Sequence, residues 1–560
     1  MRRASWVPIL LAAGCGGDDA DPAPAGGSSP EAPADFRDAT EAAGLALTLT
    51  AGGTPPRQIL EVKGGGLALI DYDADGDLDL FAPNGATLEQ PDRGPGARLF
   101  ENVSEGEPAF RDATTAAGVD FARWGMGVAV GDVDGNGFDD VFIACYGPDA
   151  LLRNEGGRFT AAAAEVGLGD AGWGTGSSFG DVDLDGDLDL YLVRYLEFDA
   201  AAPPPPTTFL GVPVFNGPSG LTGQADLLYL NEGGAFRDVS ESAGIRAVRP
   251  SYGLGALILD LDADGAPEIF VGNDSMANFL FTAAEGAGDE LRFEDVALEA
   301  GLAVNADGET QATMGIAYGD VNDDGLPDLF TTNFMSDTNS LHVSAGGLRF
   351  SDKTQLFGLG MVSRPFLGWA TMFYDFGHDG EEDLVVFNGH VYPETAVQAL
   401  GSSARQRPLF FERDGARFRR RMPPADGGTW LADARNDRSA VFGDLDGDLD
   451  VDLVVAERNG PVRLLRNDGA RGGALIVRLA DGRSPGNARG LGARVTLEGG
   501  GRTRTRWIAS GGSYLSACAP EAHFGLGEER GPFILTVRWP DGEEQRAEGV
   551  EPGLRVVERN

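Results

Sequence analysis

Asp181-Val182-Asp183-Leu184-Asp185-Gly186-Asp187-Leu188-Asp189 is an acidic nonapeptide with side-chain oxygens at positions 1, 3, 5 and 9 and glycine at position 6. A hard cation such as Ca2+ takes six to eight oxygen ligands, and a tightly turned loop offers that many from one short segment. Nonapeptides of the same form, Asp-x-Asp-x-Asp-Gly-x-x-Asp, also begin at Asp71, Asp132, Asp260, Asp320, Asp375 and Asp444. They recur about 62 residues apart, the spacing of a structural repeat. One copy is a weak motif; seven in register are a strong one.

The first loop presents Asp71, Asp73, Asp75 and Asp79, and the third Asp181, Asp183, Asp185 and Asp189. The second has Asp132, Asp134, Asn136 and Asp140, the fourth Asp260, Asp262, Asp264 and Glu268, and the fifth Asp320, Asn322, Asp324 and Asp328. Each candidate site includes position 7: Asp77, Phe138, Asp187, Ala266, Leu326, Glu381 and Asp450 in turn. Two copies depart from the pattern. In the sixth, Gly377 stands at position 3, leaving Asp375, Asp379 and Asp383. In the seventh, Asp444, Asp446, Asp448 and Asp452 remain, but Leu449 holds the turn position, where a positive φ is costly for a residue with a Cβ. Five calcium sites are therefore expected, and up to seven.

These are not EF-hands, which need a bidentate Glu at position 12 and flanking helices. Position 12 of the first loop is Ala82. The segments after the loops, such as Val141-Phe142-Ile143 and Leu453-Val454-Val455, are short and β-branched or aromatic, as in strands bounded by turns. Two further patterns recur between the loops. Phe36-Arg37-Asp38-Ala39-Thr40 returns at Phe110, Phe236, Phe293 and Phe350, and Leu151-Leu152-Arg153-Asn154-Glu155-Gly156 returns at Leu228 and Leu464. Each unit thus offers four short strands, and seven units predict a closed seven-bladed β-propeller over residues 36–469. A Phe-type strand precedes the first loop and none follows the last Asn-x-Gly turn, so residues 36–40 are expected to complete the seventh blade. Glycines five residues upstream of the loops, at 66, 127, 176, 255 and 315, suggest close backbone approach around the axis. Residues 470–560 alternate apolar and polar and carry an Asp541-Gly542 turn, which reads as a small β-sandwich-like domain. The fold class is all-β.

The net charge is −43, and the seven nonapeptides hold 32 of the 87 acids. So acidic a chain disfavours nucleic acid as a partner. Its 42% hydrophobic content argues against disorder. Arg2 and Arg3 precede an apolar run too short to span a bilayer, which reads as an export signal over residues 1–15. Leu11-Ala12-Ala13-Gly14-Cys15 resembles a bacterial lipoprotein signal, implying lipidation at Cys15, a flexible tether over 16–35, and membrane contact through the lipid alone. The expected location is the outer membrane or cell surface, or otherwise the medium. Cys145 and Cys518 do not make a disulfide scaffold. The four histidines show no metal-ligand spacing. Trp124, Trp173, Tyr252 and Trp369 lie six to eight residues before their loops, either as blade-packing residues or as a lining of the channel mouth. Pro203 to Pro206 mark an insertion in the longest inter-loop spacing.

The loops and strands resemble FG-GAP or VCBS repeats, which form the integrin α-subunit propeller. Gly490-Leu491-Gly492-Ala493, Ser510-Gly511-Gly512-Ser513-Tyr514, His523-Phe524-Gly525 and Trp539-Pro540-Asp541-Gly542 resemble the ASPIC/UnbV domain of the cartilage acidic protein family, as does Asn388-Gly389-His390-Val391-Tyr392-Pro393. The resemblance implies a calcium-binding surface protein. The expected function is non-enzymatic binding of a protein or glycan partner in adhesion. The alternatives are a polysaccharide lyase-like propeller enzyme and an assembly or export accessory protein.

Overall fold

The structure, a computed structural model, describes residues 35–209, 211–284, 291–424 and 429–560. Cys15, the export signal and the tether up to residue 34 lie outside the described residues. Seven four-stranded antiparallel blades surround one axis. Blade 1 comprises Ala68–Ile70, Asp79–Ala82, Arg98–Asn102 and Phe110–Asp112 in consecutive order, and the acidic loop joins its first two strands. Blades 2 to 6 repeat the order, each ending on a strand that carries the repeated Phe, at 159, 236, 293, 350 and 418. Blades 2 and 3 are further linked where Ala171–Trp173 pair with Tyr146–Pro148.

The ring closes as the repeat phase suggests. Blade 7 takes Asp437–Gly443, Asp452–Glu457 and Val462–Asn467 from the end of the propeller sequence and Phe36–Asp38 from its start, with Phe36 opposite Asn467. The outer strands end in a repeated device. Asp112 accepts the Thr114 amide at 3.0 Å, and the Thr114 hydroxyl oxygen accepts the Leu99 amide at 3.0 Å. Asp238 with Ser240 and Asp352 with Thr354 do the same. The Phe-x-Asp-x-Thr/Ser pattern is thus an Asx-type turn that lends a hydroxyl to the neighbouring strand.

The C-terminal domain is two sheets. Gly473–Asp481 pairs antiparallel with Glu521–Gly527 and parallel with Gly553–Arg559. The other sheet runs Arg502–Trp507, Arg494–Gly499, Phe533–Arg538 and Glu544–Val550. Leu475, Val495, Phe524, Leu535 and Trp539 fill the space between them, in one apolar cluster with Phe142, Phe179 and Leu190 of blades 2 and 3.

Between the two sheets' strands, residues 510–519 leave the domain and enter the propeller axis. Ser513 O accepts the Ile316 amide, Leu515 O the Val128 amide, and Ala517 exchanges hydrogen bonds with Leu67 and Leu69. The Ser513 hydroxyl donates to Ala440 O at 2.9 Å, and Tyr514 packs edge-on against Trp369 at 4.8 Å. Gly511 lies against Ser178 and Ala256. All seven innermost strands touch this plug. Close approach explains two of the axial glycines: a Cβ on Gly66 would stand 1.7 Å from Leu515 O, and one on Gly315 would stand 2.0 Å from Trp369 O. The channel is filled, and Trp124, Trp173 and Trp369 are fully buried packing residues, not an open sugar-stacking mouth. Cys145 and Cys518 are free thiols.

Candidate functional site

Every acidic loop is built the same way. Two residues per loop take the left-handed conformation, at positions 4 and 6. In loop 3 these are Leu184 (φ 61°) and Gly186 (φ 96°); in loop 7 they are Gly447 (φ 80°) and Leu449 (φ 74°). Leu449 therefore accepts the strained conformation, and loop 7 keeps the fold of the others. Non-glycine residues also hold position 4 in loops 1, 4, 5 and 6: Ala74, Ala263, Asp323 and His378.

Hydrogen bonds fix each carboxylate. Asp181 accepts the amides of Asp185 and Gly186 at 3.0 Å, and Asp132, Asp260, Asp320 and Asp375 repeat this. Asp444 accepts Gly447 and Leu449 instead. Position 5 accepts the amide of position 7, so Asp77, Phe138, Asp187, Ala266, Leu326, Glu381 and Asp450 serve as donors that orient Asp75, Asn136, Asp185, Asp264, Asp324, Asp379 and Asp448. Position 9 reaches in two directions. Asp189 accepts Val182 N at 2.9 Å and Asn231 N, on the third strand of its blade, at 2.9 Å. Asp79, Asp140, Asp328 and Asp452 make the same pair of contacts.

An Asn at the end of the third strand, in an Asn-x-Gly turn at 154, 231 and 467 and before Val103-Ser104 at 102, then ties neighbouring blades. Asn154 Nδ2 donates to Tyr72 O of loop 1, Asn231 to Val133 O of loop 2, Asn467 to Phe376 O of loop 6, and Asn102 to Leu445 O of loop 7. In blade 6 Arg413 takes this place and reaches Asp320 O and Asp323. In sequence this Asn marks only a turn; its inter-blade role has no local signal.

Three carboxylate oxygens converge within 4.8 Å in five loops: Asp71/Asp73/Asp79, Asp132/Asp134/Asp140, Asp181/Asp183/Asp189, Asp260/Asp262/Glu268 and Asp444/Asp446/Asp448. These are sets of carboxylates alone, so an amide ligand such as Asn322 of loop 5 is not counted in them. Loop 7 joins because Leu449 does turn, whereas loop 5 has Asn322 at position 3, whose Nδ2 donates to Asp324 at 2.9 Å. Loop 6, with Gly377 at position 3, forms no such triad among the described residues. Arg466 stands on Asp446 at 2.5 Å and Asp448 at 2.8 Å, and Arg153 on Asp134 at 3.0 Å.

The donors fit a hard divalent cation. All are oxygens, and Asp71 Oδ1, Asp73 Oδ1, Asp134 Oδ1 and Asp446 Oδ1 are buried with no hydrogen-bond donor. Burial pushes the position 9 carboxyls of Asp79, Asp140, Asp189, Glu268 and Asp328 up to about 8, opposed only by backbone donors, and neighbouring carboxylates add to the rise. Burial also raises Asp181 to about 7 and Asp320 to about 6. A cation would remove both penalties.

The C-terminal domain covers these loops. Arg489 pairs with Asp139 at 3.1 Å and approaches Asp71 at 3.9 Å, and Arg478 donates to Gly76 O. Arg538 donates to Ala263 O at 3.2 Å, Arg502 spans Asp323 and Glu381, and Arg506 pairs with Glu382 at 3.2 Å. Ser484 lies over Gly186. His523 contacts Leu449 O at 3.3 Å and faces His378 of loop 6 at 3.2 Å. All seven loops are met. The sequence noted neither the arginine ring nor the histidine pair, because both are made by residues far apart in the chain.

An FG-GAP-like repeat model matches residues 132–192, covering loops 2 and 3, and the ASPIC and UnbV model matches residues 483–557. Cartilage acidic protein 1 is 30% identical over 55% of this chain in Mus musculus and 29% in Homo sapiens. The matched region spans 44% and 43% of those relatives, so the chain spans under half their length. Among solved structures, an Agrocybe aegerita lectin that recognises non-reducing terminal N-acetylglucosamine aligns at TM-score 0.40 and 16% identity, over 72% of this chain and 95% of that one. The exotype rhamnogalacturonan lyase YesX aligns at TM-score 0.36 and 13% identity, over 76% of each. The chain folds as a β-propeller that carries an FG-GAP-like repeat match, followed by a domain that carries an ASPIC and UnbV match, and it is similar to cartilage acidic protein 1.

Proposed function

We propose that this is a calcium-stabilised, non-enzymatic binding protein, exported to the cell surface or beyond, that presents one propeller face to a protein or glycan partner. The observation that carries the reading is the set of buried, donor-less carboxylate oxygens at ligand positions of loops 1, 2 and 7. Calcium would be structural, because the C-terminal domain lies over the loops and leaves the opposite face to a partner. A site held at ten times its dissociation constant contributes about 1.4 kcal/mol. Several such sites rival the usual margin of about 5–15 kcal/mol for a folded domain. The basic groups nearest the loops, Arg466 and Arg153 of the propeller and Arg489 and Arg506 of the covering domain, all pair with loop carboxylates. That favours binding over a lyase, which would need a free base facing the metal in an open cleft. Among the described residues no helix is long and apolar enough to cross a membrane.

The test is binding of residues 36–560 to arrayed glycans and surface proteins, with calcium and with chelator, alongside incubation with uronate polysaccharides. Calcium-dependent retention without cleavage is the expected result. Appearance of unsaturated uronide products would establish the lyase reading instead.

A further inference from the structure

On the face opposite the acidic loops, the connection between two strands of blade 6 and the 458–461 turn of blade 7 enclose a groove of about 480 Å3. Pro393, Pro461 and Tyr392 give it apolar walls, and His390, Asn436 and Arg458 give it polar ones. His390 is 1% exposed. Its Nδ1 accepts the Tyr392 amide at 3.0 Å, so the neutral ring must carry its proton on Nε2. Burial keeps the ring neutral, pushing it down to about 4. That buried Nε2–H has no acceptor, and neither has Arg458 Nε. Directly behind stands Arg438, fully buried, with Nη1 held by Asn436 Oδ1 at 2.6 Å and Nη2 without a partner.

Three unpartnered buried donors gather here, beside two unpartnered acceptors, Asn388 Oδ1 and Asp437 Oδ1, and the carboxylates of the lining already accept hydrogen bonds. Glu457 accepts from Arg435 at 2.9 Å and pairs with Arg405 at 3.2 Å; Glu394 accepts the Ala404 amide at 2.7 Å. Around the guanidiniums the nearest carboxylates, Glu61 and Glu457 for Arg458 and Asp437 and Glu457 for Arg438, favour the charge without closing on it, and Arg438 stacks over Trp369 at 4.2 Å. Arg438 donates to Val62 O, Gly389 O and Asp437 O besides Asn436, and Arg458 to Gly53 O and Glu61 O. Among the described residues neither makes a salt bridge, whereas the buried Lys63 nearby has Asp274 at 3.0 Å. A buried charge without a counter-ion is costly unless something supplies one. The groove's volume lies toward the lower end of small-molecule sites.

We propose that this groove binds a carboxylate-bearing ligand of monosaccharide size, whose anionic oxygens accept from His390 Nε2–H and Arg458, with the buried Arg438 behind them. The assignment rests on the reading of this face as the ligand-binding one, and gives that reading a ligand chemistry. Its test is titration of D-glucuronate into the calcium-saturated, 15N-labelled protein, following the His390 imidazole resonances. The chain has only four histidines, so His390→Gln assigns the signal. Saturable movement with D-glucuronate, none with D-glucose, and about tenfold weaker binding in Arg458→Gln are expected from losing one charge-assisted hydrogen bond. Acetate shows the source of affinity: an equal response means the carboxylate alone is held, a weaker one that the sugar ring is held too. No movement in the folded, calcium-loaded wild type, or an equal response to D-glucose, overturns the proposal. Calcium uptake measured on the same sample separates this failure from failure of the calcium-scaffold reading.

Discussion

Asp189 shows how one side chain serves fold and site together. It closes the loop by accepting Val182 N, anchors the third strand through Asn231 N, and contributes one of three converging oxygens. Asp183 contributes an oxygen without those two bonds. Asp189→Ala is therefore expected to destabilise even the chelated protein by about 2–4 kcal/mol, since two buried amides lose their acceptor. Asp183→Asn should remove one bound calcium while leaving chelated stability within about 0.5 kcal/mol. Denaturant melts with and without chelator, paired with ion counting, distinguish the two. Leu449 makes the opposite kind of case. With φ at 74°, it holds a conformation that glycine adopts freely, so Leu449→Gly is expected to stabilise the protein by about 1 kcal/mol. The loop ligands and the turn at position 6 were legible in the sequence because spacing and residue type state them directly. The left-handed position 4 was not: Ala74, Leu184 and Ala263 carry no conformational signal, and the loop's closed hydrogen bonds impose the strain.

At the scale of the element, burial in the acidic loop favours the protonated form of its position 9 carboxyls. These carboxyls lie near 8 in the folded chain against about 4 when unfolded. Between those values the folded state holds more protons than the unfolded one, so stability of the calcium-free protein falls as pH rises from about 4 to about 8. Calcium takes only the deprotonated ligands, so its uptake at pH 7 should release protons, and apparent affinity should rise with pH. Titration in weakly buffered solution with a pH electrode checks this; proton-neutral uptake would contradict it. The plug at 510–519 is the other decisive element. Gly66→Ala would drive a Cβ into Leu515 O, and is expected to loosen the plug and speed hydrogen exchange at Val128 and Ala517. Gly511-Gly512-Ser513-Tyr514 stood out as a sequence motif, but its destination did not. Its partners are the inner strands of all seven blades, and no local pattern encodes contacts hundreds of residues away.

Across the whole molecule, closure and capping make one cooperative body. Phe36–Asp38 seals blade 7, and the C-terminal domain shares an apolar cluster with blades 2 and 3 while its plug fills the axis. Blade number, strand order and closure were legible because the repeat states its own phase. The docking of the second domain onto the loop face was hidden, since Arg478, Arg489, Arg502 and Arg506 have no partners nearby in sequence and gain them only when the loops are placed beneath them. Calorimetry of residues 36–560 should give a single transition, and a chain ending at 469 should melt lower and expose its axial core; two well-separated transitions would contradict this coupling. The most direct measurement is calcium titration into the chelator-stripped protein, counting bound ions while following the melting temperature. Five to seven ions with a large rise in melting temperature is the expected result, and no uptake with no shift would contradict the calcium-stabilised propeller outright.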